Sequence, residues 1–171
     1  GKKETPEAIR NFLLKPVSML TIMVPILCGS AIFAMPVALG LLLPKFLPGL
    51  DAMKIYLFGT FFVLLPQYSG NFLITLGRHL VNVPILIIAV ILNFLFNQTF
   101  LLLGWGRPGV AFGTVLSFAF YGLTTHVLAL RCFWPWKDTL LHMCKMISIL
   151  LYFALSIGCI DRIIFHPNMF C

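Results

Sequence analysis

Side chains able to do chemistry are scarce in this sequence, and those present are mostly amides set in apolar runs. Gln67 and Asn71 stand one helical turn apart just past Pro66, and Asn93 and Asn97 repeat that spacing with Gln98 adjacent. A polar side chain in such surroundings either hydrogen-bonds a neighbouring helix or lines a water-filled path. Interhelical bonding is the leading reading for Asn93, Asn97 and Gln98. For Gln67 and Asn71, beside a proline that frees the carbonyl of Phe62, the two readings stand level. His126, the one histidine well inside an apolar run, reads as snorkelling or hydrogen-bonded ahead of a proton relay, and Lys145 as snorkelling. No GxSxG elbow, Walker loop, HExxH motif or paired carboxylate is present, and Glu4, Glu7, Asp51, Asp138 and Asp161 all fall in connections or tails. With no acid in any apolar run to bind a metal or relay a proton, catalysis is not expected, and neither is a metal or a cofactor. The cysteines at 28, 132, 144, 159 and 171 form no CxxC pair and no zinc spacing, and read as reduced or inert thiols.

The elements that must hold these groups follow from composition. Of 171 residues, 60% are hydrophobic and 10% charged, with a mean hydropathy of +1.01, whereas soluble chains carry about 25% charged residues. That excludes an ordinary soluble domain, and disorder, collagen, coiled coil and a disulfide-stapled module need compositions this chain lacks. The net charge of +7 comes from Lys and Arg spread singly through loops, not from a stripe interleaved with aromatics, so the lipid bilayer is the expected partner and nucleic acid is not.

A crossing helix needs about 20 apolar residues. Five stretches qualify, namely Ser18 to Leu43, Ile55 to Leu76, Leu80 to Leu103, Gly109 to Leu130 and Leu140 to Ile160. The expected fold is an all-α polytopic membrane protein. Ahead of the first span, Thr5-Pro6-Glu7 reads as a helix start, and Ala8, Ile9, Phe12 and Leu13 share one face with basic residues nearby, so residues 1–17 are expected to form a lead-in lying along the membrane surface. Eight Lys and Arg residues fall on the side of the N-terminus and the Arg78 loop against four on the other, which predicts a cytoplasmic N-terminus. Trp134 and Trp136 flank Pro135 at a boundary where aromatic belts occur. Ser30, Ala34 and Ala38 give the first span a small-residue face for helix packing. Gly109, Gly113 and Ser117 do the same for the fourth, followed on that stripe by Tyr121 and Thr125. The chain opens on Gly1 without an initiator Met and is read as a piece of something longer.

Two stretches carry a family resemblance. Leu92-Asn93-Phe94-Leu95-Phe96-Asn97, followed by the glycine-rich run from Gly104 to Ser117, resembles the fifth-helix asparagines, outer Gly-x-x-Gly turn and sixth-helix start of a lobe in polysaccharide flippases of the multidrug/oligosaccharidyl-lipid/polysaccharide exporter superfamily. Leu43 to Leu50, followed by Ile55-Tyr56-Leu57-Phe58, is similar to the outer loop and fourth-helix entry of the same lobe. The resemblance implies two six-helix lobes around a cavity that opens alternately to each side of the inner membrane. Residues 18–131 would then be four helices of one lobe, with the N-terminus cytoplasmic, and residues 132–171 a loop, an extra helix and a short tail. It implies a lipid-linked oligosaccharide as substrate and the remaining helices of a longer transporter as partners. The candidates to face that cavity and hydrogen-bond sugar hydroxyls are Gln67, Tyr68, Asn71, Asn93 and Asn97. The alternatives are an ion-coupled multidrug exporter of the same superfamily, part of a membrane-embedded transferase on polyprenyl-linked sugars, and a bundle that transports nothing.

Overall fold

The computed structural model describes residues 6–165, with side chains from 13 to 160; Thr5, the face at Ala8, Ile9 and Phe12, Arg162 and Cys171 lie outside the described side chains. Among the described residues every regular element is helical: α1 (Pro6–Leu42), α2 (Leu50–Thr75), α3 (Asn82–Leu102), α4 (Gly106–Arg131) and α5 (Trp136–Phe165), with 3-10 turns at Pro44–Gly49 and His79–Val81. All five helices are long and apolar enough to cross a membrane. The 21 residues of α3 reach about 31 Å at 1.5 Å each, close to the ~30 Å of a hydrocarbon core. The others overrun their predicted spans, because charged residues such as Asp51 and Asp138 sit in helical first turns, where an acid favours the helix dipole.

The connections are short because glycine ends the helices. Gly77 takes φ +71° and Gly104 φ +77°, the left-handed turn that returns the next amides to the last carbonyls. Arg78 N donates to Leu73 O at 2.8 Å and Trp105 N to Phe100 O at 3.1 Å. The ring of Phe100 then stacks against Trp105 at 4.9 Å, which fixes the α3–α4 hairpin.

Helix α4 is the hub. It packs most extensively on α2 and next on α3; α1 lies on the other side of α2, and α5 on α1, touching α4 more sparsely. Gly59 meets Val115, Phe62 meets Gly122 and Ser69 meets His126 in rising order, so α2 and α4 run parallel. Leu13, Val17, Leu65, Phe72, Ala129, Leu130, Met143 and Met146 form one buried cluster. By contrast α3 buries only Ile85 and Ala89 and turns its remaining apolar surface outward.

Two expectations need correcting. Helix α1 runs unbroken through Pro16, and Leu13 and Val17 are fully buried, so residues 13–17, expected in the surface lead-in, continue the first span. A proline inside a helix deletes one hydrogen bond and bends it, and side chains that pack on both sides of the bend hold it together. Second, Ser30, Ala34 and Ala38 are exposed, and Ser30 Oγ turns back to its own helix at Leu27 O, 2.9 Å away. The packing face of α1 is Val24, Cys28, Ile32 and Leu39 instead, bulkier residues that fill the space a small stripe would leave empty.

Candidate functional site

Pro66 removes its own amide from α2 and leaves the carbonyl of Phe62 without its helical donor. α4 closes on that point. A Cβ at Gly122 would stand 2.5 Å from Phe62 O and 3.3 Å from Pro66 Cδ, so only glycine lets the two backbones approach this closely. The freed carbonyl is therefore covered by Gly122.

Beside this contact, α2, α3 and α4 leave a groove of about 340 Å³ at their mid-lengths. Its apolar walls include Val63, Ala89 and Phe118, and its polar groups come from Asn93, Thr114, Ser117 and Tyr121. Ser117 Oγ is committed to Gly113 O at 3.0 Å and Thr114 Oγ1 to Val110 O at 2.9 Å. Asn97 Nδ2 donates to Asn93 Oδ1 at 3.1 Å and lies 3.5 Å from Thr114 Oγ1. Asn97 thus holds α3 to α4 and orients Asn93, which lines the groove. Gly113 makes this possible, since a Cβ there would fall 2.6 Å from Asn97 Oδ1.

The five cavity candidates separate. Asn93 lines the groove and Asn97 braces it. Gln67, Tyr68 and Asn71 lie on the exposed surface of α2, and among the described residues Gln67 and Asn71 make no hydrogen bond. Gln98 is exposed as well. Gly109, Gly113 and Ser117 are buried, in keeping with a packing stripe.

A second polar cluster lies toward the Arg78 end. Asn82 Nδ2 donates to Tyr121 Oη at 2.9 Å, and Thr125 Oγ1 donates to Asn82 Oδ1 at 2.8 Å, which clasps the start of α3 to α4. Next to Thr125 in the chain, fully buried His126 meets Ser69 Oγ through Nδ1 at 2.8 Å. Its ring centroid is 5.6 Å from that of His142 on α5, which in turn lies 5.5 Å from Trp134. Arg131 donates to Trp134 O at 2.8 Å and lies 4.5 Å over the Trp136 ring, pinning the α4–α5 turn. Neither Asn82 nor His142 was singled out from sequence. Asn82 lies near the start of the expected third span, while His142 is recognisable only through Thr139 and Met146, three and four residues away, which share its helical face and are buried. Among the described residues no three His, Cys, Asp or Glu side chains gather.

Comparison with protein-family models, with characterised proteins and with solved structures gives no match to this chain.

Proposed function

We propose that the chain is the C-terminal part of a membrane exporter that carries a lipid-linked oligosaccharide across the bilayer by alternating access, without catalysing a chemical step. The observation that carries this reading is the groove between α2, α3 and α4. It sits halfway along three helices, next to the proline within α2, and sets the side chain of Asn93 among apolar walls. Transporters place substrates at the midplane, beside interrupted helices. An amphiphile with hydroxyl-rich head and hydrocarbon tail matches such a lining, the amide meeting sugar hydroxyls and the apolar walls meeting the chain. The resemblance at Asn93, Asn97 and the Gly104 to Ser117 run points the same way, as do the exposed Gln67 and Asn71, polar groups at membrane depth that further helices of a longer transporter would cover.

The test is translocation of a fluorescent lipid-linked oligosaccharide by the intact protein in proteoliposomes. Asn93→Leu removes about 1–1.5 kcal/mol of hydrogen bonding to substrate and is expected to slow transport about tenfold, with its melting temperature close to wild type. Asn93→Leu and Asn71→Leu both transporting at the wild-type rate would remove the amides from the path and the reading with them.

A further inference from the structure

The paired histidines at the Arg78 end play no part in export as described, and their geometry stands independently of it. Nε2 of His126 lies across the ring from Ser69, and neither it nor buried Nε2 of His142 has a hydrogen-bond partner among the described residues. Two orphaned nitrogens on neighbouring rings are unusual, because a buried polar atom left unpaired costs about 1–3 kcal/mol. The ring centroids are 5.6 Å apart. Two imidazoles bound to one ion through nitrogen, at about 2.0 Å each, place their centroids about 5.5 to 6.3 Å apart depending on the bond angle, the short end corresponding to three-coordination. A third donor is at hand: Met146, buried and one turn beyond His142, lines with it a cavity of about 220 Å³ between α1 and α5.

The charge of the site selects the ion. No carboxylate lines this cavity and Lys145 does, while Asp51 and Asp138 are exposed in helix first turns. A divalent ion would bring two uncompensated charges to membrane depth. A monovalent ion brings one, and thioether sulfur prefers a soft one. We propose that His126, His142 and Met146 form a three-coordinate site for a soft monovalent cation of the Cu(I) class, entered through the cavity between α1 and α5. Ser69 is the orienting partner: when its oxygen accepts from Nδ1–H of His126, the Nε2 lone pair is left free to ligate. Lys145 opposes the ion and weakens its binding.

The experiment uses the 171-residue chain in detergent with Cys28, Cys132, Cys144, Cys159 and Cys171 replaced by Ser. Should that variant lose its helical circular dichroism, the native chain with thiols capped by N-ethylmaleimide replaces it. Cu(I) is kept monovalent with ascorbate and competed against bathocuproine disulfonate. One ion is expected per chain, with X-ray absorption giving two nitrogen neighbours at about 2.0 Å and one sulfur at about 2.3 Å. His126→Phe and His142→Phe should each weaken binding at least about tenfold, and Ser69→Ala about 10- to 100-fold, as for partners that orient a ligating histidine. Lys145→Gln should tighten it several-fold by removing a like charge, an effect that a purely structural histidine pair would not produce. No Cu(I) uptake by the thiol-free or thiol-capped chain, uptake unchanged in His142→Phe, or unchanged affinity in Lys145→Gln would each overturn the site.

Discussion

Gly122 carries a tight steric constraint in the bundle, and a side chain added there tests it. A Cβ there meets the Phe62 carbonyl at 2.5 Å, and backbone cannot swing aside as a side-chain tip can, so α4 must back away from α2. Gly122→Val is expected to destabilise the bundle by about 1–3 kcal/mol, the usual cost of overpacking. Gly158→Val, with open space around it, should have little effect. Unfolding in mixed micelles compares the two, and equal stabilities would mean that α2 and α4 do not meet at Pro66. The sequence announces some such residues and hides others. Gly109, Gly113 and Ser117 recur at helical spacing and are buried, yet Ser30, Ala34 and Ala38 recur just as regularly and are exposed. Spacing states that a helix can approach, not that one does. Gly59 and Gly122 belong to no repeat and become legible only against Val115 and Phe62. The amides show the same limit, since Asn97 and Gln98 are adjacent in sequence, and only Asn97 faces Thr114.

At the scale of elements, the five spans were readable because lipid demands long uninterrupted apolar runs and the acids respect their edges. Which helices pair was not readable. In lipid a helix is apolar both where it meets a neighbour and where it meets acyl chains, so hydrophobic periodicity no longer marks the packed face. That is why α4 emerges as the hub, and α3 as a helix that buries only Ile85 and Ala89, only in three dimensions. The same blindness hides residues 13–17 of α1, expected in the surface lead-in, of which Leu13 and Val17 share a buried cluster with Ala129, Leu130, Met143 and Met146. Leu13→Ala is accordingly expected to cost about 2 kcal/mol, the low end for emptying a packed site, measured by the same unfolding titration. A Leu13→Ala chain as stable as wild type would return residues up to 17 to the membrane surface.

For the whole molecule, five helices long and apolar enough to cross a membrane, joined by short connections, are the frame that holds the groove at helix mid-length. The excess of Lys and Arg around the N-terminus, the Arg78 loop and the α4–α5 turn predicts a cytoplasmic N-terminus, and the exporter reading needs this orientation for its substrate to enter. Cysteine mapping in intact cells tests the frame most directly. Single cysteines at Leu47, His79, Trp105 and Trp134, on an otherwise thiol-free background, are exposed to a membrane-impermeant maleimide before and after permeabilisation. Leu47→Cys and Trp105→Cys should label in intact cells, and His79→Cys and Trp134→Cys only once the membrane is opened. Labelling of Leu47→Cys and His79→Cys from the same side would contradict the crossing of α2 between them, and with it a bundle built of five transmembrane helices.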